Sequence, residues 1–288
     1  MGGLGNQMFQ YAFGSYLARK NGTELKFDLT FLLDRTPSKN EHFVFRDFDL
    51  SIFELDVAEA TKKEIAALTS RTGIPFAEKV LNKLAGTKKS YIREEHFHVS
   101  EQYLELPDNV YLEGYWQSPA YFDQLPADEL SRLFTFKNPV SGAAASLMET
   151  IEADNSVCVN VRRGDFVHNP FHGSMDTSYF SSAEKLLNEK YPGLSYYVFS
   201  DDIEWCRENL QFTRPVRFIS HEYAGEKFQD YLRLMSACKH FIIPNSSFAW
   251  WAVWLSSNPD KTVIAPANWF SDSAIDTSDL VPSNWIRR

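Results

Sequence analysis

The sequence predicts an α/β fold whose second half is a doubly wound parallel sheet. Three observations carry that expectation. From Val157 onward, short β-branched and aromatic runs alternate with longer segments of helical period, the pattern of repeated βαβ units. Val157–Val161 is mostly apolar and β-branched without polar alternation, as a strand buried on both faces should be. Three of the predicted strands run straight into polar clusters, at residues 162–165, 200–202 and 245–247, which a parallel arrangement gathers on one sheet edge.

A chain of 288 residues suits two domains of ordinary size. The boundary is drawn near Asp154-Asn155, giving residues 1–154 and 155–288. The first half opens on Gly2-Gly3-Leu4-Gly5-Asn6-Gln7, followed by a helix predicted over Gln7–Lys20 and stopped by Asn21-Gly22. A glycine-rich turn at a helix start either offers backbone N–H groups to an anion or a sugar hydroxyl, or packs the helix tightly. Met8 stands where the third glycine of a dinucleotide fingerprint would be, so Gly3 and Gly5 do not form one. Strands are expected at Glu24–Asp28, Tyr91–Val99 and Val110–Trp116. Helices are expected at Asp56–Leu68, with Thr61 and Glu64 spaced as a capping box, and at Asp128–Phe134. The strand ending at Gly114-Tyr115-Trp116-Gln117-Ser118 puts two rings beside an amide and a hydroxyl. That combination suits a sugar, with rings for its C–H face and polar groups for its hydroxyls, and equally suits a strand end packed in the core.

In the second half, strands are predicted at Val157–Val161, Tyr196–Phe199, Val216–Ile219, Phe241–Ile243 and Val263–Ala265. The helices between them are Ser178–Glu189, Ile203–Asn209, Glu226–Cys238 and Phe248–Leu255. Arg162 and Arg163 end the first strand. A guanidinium is rarely placed there without a partner, and its fork of donors matches phosphate oxygens. Asp165 either orients the arginines by ion pairing or serves as a base. Ser200, Asp201 and Asp202 end the second strand; a carboxylate there can accept from the paired donors of guanine, and Asp202 can equally cap the helix opening at Ile203. Asn245, Ser246 and Ser247 open the helix near Phe248, where they either bind phosphate or cap.

Composition narrows the function classes. The net charge is −9 with no basic run, which argues against nucleic acid, so an anionic ligand needs a local basic site. The chain is 44% hydrophobic and 15% aromatic, enough for a sizeable core. Cys158, Cys206 and Cys238 are widely spaced, which fits a reducing compartment with neither a disulfide framework nor a zinc site. The longest apolar run, Phe248–Leu255, is too short to span a bilayer, and no secretory leader is read at the start. The expected location is the cytoplasm, with contact at the inner membrane face left open. Asp47-Phe48-Asp49 is a D-x-D triplet of the frequency chance provides, and His96 and His98 are expected as ordinary strand histidines.

Taken together, the motifs Gly2–Tyr11, Gly114–Ser118, Val161–Asp165, Phe199–Ile203 and Asn245–Trp251 resemble the bacterial α-1,2-fucosyltransferases of glycosyltransferase family 11, in the family's order along nearly the whole chain. The resemblance implies a GT-B-like fold, two Rossmann-type domains with a nucleotide-sugar cleft between them. It implies metal-independent, inverting transfer of L-fucose from GDP-fucose to the 2-hydroxyl of a terminal galactose on an oligosaccharide or glycolipid precursor. Arg162 or Arg163 would hold the β-phosphate. Asn160, Ser200, Asp201, Asp202, Asn245, Ser246 and Ser247 would line the nucleotide site. Gly3, Gly5, Asn6, Gln7, Tyr115, Trp116 and Gln117 would form the acceptor and diphosphate loops. No cofactor is implied. The chain departs from the family at Asn160, where histidine is usual, and begins directly at the glycines. Two alternatives stand beside this one: a transferase for another nucleotide sugar, and a catalytically impaired sugar- or nucleotide-binding protein.

Overall fold

The computed structural model describes residues 1–36, 44–55, 57–69, 90–167 and 169–288. The chain forms two units, Met1–Lys39 with Phe45–Thr135, and Asn40–Val44 with Phe136–Arg288. The break at Thr135–Phe136 precedes the boundary expected near Asp154. The reason is helix Gly142–Ala153, which leads directly into the central strand and packs on it and on helix Gln229–Ser236.

The second unit holds six parallel strands: β5 (Asn155–Val161), β6 (Leu194–Ser200), β7 (Val216–Ile219), β8 (His240–Ile242), β9 (Val263–Ala265) and β10 (Ile286–Arg287). Their spatial order is β10-β9-β8-β5-β6-β7. The chain therefore starts in the middle at β5, winds outward to β7, returns across β5 to β8 and winds outward the other way. β10 is a two-residue strand, too short to have left a pattern in the sequence.

Alternation along β5 dictates the layers. Val157, Val159 and Val161 face a core that includes Phe180, Ala183 and Leu187 of helix Thr177–Lys190 and Cys206 of helix Ile203–Asn209. On the opposite face, the Asn160 amide lies 3.9 Å from the sulfur of Met235 in helix Gln229–Ser236. Helix Ser247–Leu255 packs beside that helix and is apolar nearly all round, burying Trp250 and Trp251 completely. Tyr179 donates to the carbonyls of Ile243 and Ile264 at 2.5 and 3.2 Å, fastening the ends of β8 and β9.

The first unit is built on α1 (Leu4–Asn21), which buries Met8, Phe9, Ala12 and Phe13 and ends at Gly22 in the left-handed conformation. Its described strands are short parallel pairs: β1 (Lys26–Phe27) with β2 (Ala58–Glu59), and β3 (Tyr91–Arg93) with β4 (Tyr111–Glu113). The longer strands expected over Tyr91–Val99 and Val110–Trp116 stop early. Glu94 turns in to take the backbone N–H groups of Tyr115 and Trp116, which ends both ladders. The helix expected from Asp56 is Lys62–Thr69 in the structure, and Asp56 itself lies outside the described residues. Its capping box is made as expected: Glu64 accepts from Thr61 N at 2.8 Å and donates its own N–H to Thr61 Oγ1 at 3.3 Å. Among the described residues no helix is long and apolar enough to cross a membrane.

One buried group couples this sheet to pH. His240 on β8 is buried against the Tyr191 ring at 4.1 Å, and its Nδ1 accepts from Thr262 N at 3.1 Å. Burial, with Lys190 and Lys239 nearby, lowers its pKa from 6.5 to about 4. A lowered imidazole pKa means that protons favour the unfolded chain. The stabilisation is complete above about pH 6.5 and is lost as pH falls from there toward about 4. Between pH 7 and pH 5 the melting temperature should fall further in the native chain than in His240→Gln, by on the order of 5 °C. Equal slopes in a calorimetric pH series would show that His240 does not titrate between the states.

Candidate active site

The strand order places one switch point in the second unit, between β5 and β8, where connections leave in opposite directions. Ligands of open α/β sheets bind beyond the carboxyl ends of strands at such a point. Arg162 and Arg163 follow β5, and Asn245 to Ser247 follow β8, so the sequence-predicted clusters do share this edge.

The two arginines are held by three carboxylates. Arg162 pairs through Nη2 with Asp165 Oδ1 at 2.5 Å and through Nη1 with Asp201 Oδ2 at 2.8 Å, and its guanidinium lies 5.3 Å from the centre of the Phe166 ring. Arg163 donates its Nε to Asp202 Oδ2 at 3.2 Å and stacks at 3.8 Å on Trp205. Its backbone N–H donates to Asp201 Oδ1 at 2.9 Å. Asp201 thus uses one oxygen on each arginine, one through a side chain and one through the backbone. Gly164 makes this possible, since a Cβ there would lie 2.5 Å from Asp201 Oδ2. Asp202 caps the next helix by accepting from Trp205 N at 3.2 Å, and Ser200 Oγ accepts from Asp202 N at 2.9 Å. The carboxylates read as possible guanine acceptors therefore brace the arginines.

The remaining residues of this edge are also tied in. Asn160 is 8% exposed and donates to the Phe199 carbonyl at 3.2 Å, within the sheet. Asn245 is 2% exposed and donates to the carbonyls of His172 at 2.8 Å and Trp269 at 3.0 Å, stitching two loops to the end of β8. Ser246 caps the helix that Ser247 opens, accepting from Ala249 N.

In the first unit the named residues divide. Gln7 is buried and saturated: Nε2 donates to the carbonyls of Gly2 and Asp47 at 2.9 and 2.8 Å, and Oε1 accepts from Asp49 N at 2.9 Å. Trp116 is 1% exposed, its ring 4.8 Å from Phe13 and 5.0 Å from Tyr103, so it is core and no sugar platform. Gln117 donates to Asn6 Oδ1 at 2.6 Å, joining the glycine-rich start to the Tyr115 turn. Gly3 and Gly5 border that junction, with Gly3 as the residue before α1 and Gly5 inside its first turn. Tyr115 is half-buried, and burial raises its hydroxyl pKa. Asp47 is ion-paired with Arg35, and His96 and His98 stack on each other at 4.9 Å.

A family model for glycosyl transferase family 11 matches residues 1–288. The chain belongs to glycosyl transferase family 11. It is 34% identical to an alpha-1,2-colitosyltransferase of Escherichia coli, over 99% of this chain and 96% of that protein. An O-antigen biosynthesis glycosyltransferase of the same organism, WbnK, is 30% identical over 99% and 97%. A galactoside alpha-(1,2)-fucosyltransferase 2 of Sus scrofa is 28% identical over 89% of this chain and 68% of its own length. The enzyme is a glycosyltransferase.

Two residues of this family 11 enzyme escaped the sequence. His172 stacks on Phe166 at 4.6 Å and 9°, which places it one ring away from Arg162, and its buried Nδ1 has no hydrogen-bond partner among the described residues. Burial lowers its pKa, so the imidazole is neutral near pH 7. The only signal was a histidine before Gly173 in an irregular stretch. Glu94 carries a pKa raised by burial while accepting from Tyr115 N and Trp116 N at 2.6 and 3.0 Å; in sequence it is one of two adjacent glutamates. The tightest dependence at the site is on Gly164. Gly164→Ala should displace Asp201, release Arg162 and the Arg163 backbone, and lower kcat/KM about 100-fold with the fold retained. Unchanged kcat/KM in a folded Gly164→Ala protein would show that Asp201 is not needed where it stands.

Proposed function

We propose that the enzyme transfers L-fucose from GDP-fucose to the 2-hydroxyl of a terminal galactose, inverting the anomeric centre without a metal ion. The observation that carries this reading is the braced arginine pair beyond β5, beside the helix N-terminus beyond β8. As the glycosidic bond breaks, negative charge grows on the leaving diphosphate. Guanidinium groups already fixed in place stabilise that charge more in the transition state than in the ground state. Asp165 acts on Arg162 as an orienting carboxylate, 2.5 Å from its Nη2. Support for the linkage comes from two relatives, the alpha-1,2-colitosyltransferase and the galactoside alpha-(1,2)-fucosyltransferase 2. A second reading is favoured by the 34% identity to the colitosyltransferase: the same linkage made with a donor sugar lacking one ring hydroxyl.

Incubation with lactose and either GDP-fucose or GDP-colitose, with mass and linkage analysis, separates the two readings. Dominant α-1,2-fucosyl product supports the first, and preference for GDP-colitose replaces it with the second. Arg162→Ala or Arg163→Ala should lower kcat on the order of 10²–10³-fold; near-native turnover in both would remove the arginines from the mechanism. Turnover should persist in excess EDTA, and a loss restored by Mg²⁺ or Mn²⁺ would argue for a metal-assisted leaving group.

A further inference from the structure

The loop after β7 is held in a conformation that its residues do not favour. Gly225 has φ +67°, and two non-glycine residues follow in the left-handed region, Lys227 at φ 50°, ψ 32° and Phe228 at φ 61°, ψ 22°. Left-handed backbone is unfavourable for any residue with a Cβ, and a bulky side chain there is uncommon. The result is an aromatic ring turned outward, since Phe228 is 45% exposed. Its neighbours are fixed. His221, with its ring 5.7 Å from Phe228, is tied through Nε2 to the Ser200 carbonyl at 2.8 Å, the end of β6. Tyr231, 5.8 Å away, donates to the Ile219 carbonyl at 2.6 Å, the end of β7. The backbone N–H of Asp230 donates to Ala224 O at 2.9 Å and closes the loop. The Asp230 carboxylate is mostly buried. Its Oδ1 is ion-paired with Arg233 Nη1 at 3.5 Å and has no hydrogen-bond partner among the described residues.

Position decides what such a platform serves. It lies beyond the carboxyl ends of β6 and β7, on the same sheet edge as the arginines and about two strand spacings, ~10 Å, from β5. A nucleoside diphosphate anchored by its phosphates at Arg162 and Arg163 must lay its base to one side along this edge. Asp201 and Asp202 are held at 2.8 and 3.2 Å by the arginines, and Asp202 also caps a helix, whereas the ion pair of Asp230 with Arg233 is longer, at 3.5 Å, which makes Asp230 the better placed base reader.

We propose that the exposed face of Phe228 stacks on the purine ring of the donor nucleotide, and that Asp230 accepts from the adjacent N–H groups of a guanine edge. This rests on the GDP-sugar reading above and names its base subsite. Stacking on an aromatic ring contributes about 1–3 kcal/mol per base, roughly 10- to 100-fold in affinity. A carboxylate matches the two donors guanine presents side by side.

The test is titration calorimetry of the full chain with GDP, IDP, which lacks the 2-amino group, and inorganic pyrophosphate. Phe228→Ala should weaken GDP about 10- to 100-fold and leave pyrophosphate unchanged, and Phe228→Tyr should restore GDP binding. Asp230→Asn should erase the preference for GDP over IDP. Melting temperatures show that each variant is folded. Native GDP affinity in both Phe228→Ala and Asp230→Asn would overturn the proposal. Loss of pyrophosphate binding in step with GDP would also overturn it, by making the loop a general support. A native protein that binds pyrophosphate but no GDP would instead overturn the donor reading, and the subsite with it.

Discussion

The contact on which the site depends is the one Asp201 makes to both arginines. Guanidinium groups at the end of a buried strand are costly unless paired, and a flexible pair would have to be ordered again at each turnover. Asp201 removes both problems from one position. It holds the side chain of Arg162 and the backbone of Arg163 across the β5–β6 ladder, with Gly164 leaving the space. Asp165 and Asp202 complete the frame. Two cations against three carboxylates leave no excess positive charge, so the attraction for a diphosphate proposed at this edge cannot come from the charge count. It has to come from orientation, from N–H donors kept pointing past the strand, which is preorganisation in the electrostatic sense.

The same frame shows what the sequence could and could not express. The second unit was legible because its strands are mostly apolar, β-branched or aromatic runs and its turns end in capping residues. The predicted strand Val216–Ile219 and helix Ile203–Asn209 agree residue for residue with the structure. The clusters were correctly gathered on one edge, because parallel topology leaves no other place for them. Direction within the edge was not legible. A polar residue at a strand end can face a ligand, cap a helix or brace a neighbour, and the sequence is the same in each case. Asp202 braces and caps, and Asn245 donates to two loop carbonyls. The first unit was harder because aromatic packing does work there that long strands would otherwise do. Phe9, Phe13, Trp116, Tyr121 and Phe122 form its interior, and rings so packed leave no period in the chain.

Two aromatic residues with positive φ sharpen the distinction between support and display. Trp116, at φ 55°, follows a turn whose N–H groups both go to Glu94, and its ring is enclosed by Phe13, Tyr103 and Tyr121. Burying that ring contributes far more than the backbone costs, so the fold alone accounts for the strain. Phe228, at φ 61°, has no such return, because nearly half of its surface faces solvent after the chain has been bent to hold it there. Strain that burial offsets is ordinary architecture. Strain that leaves a ring half exposed, on the sheet edge where Arg162 and Arg163 also stand, is offset further when something lies on the ring. That asymmetry, more than the exposure of Phe228 by itself, is why the base subsite is sought in the loop after β7 and not at Trp116.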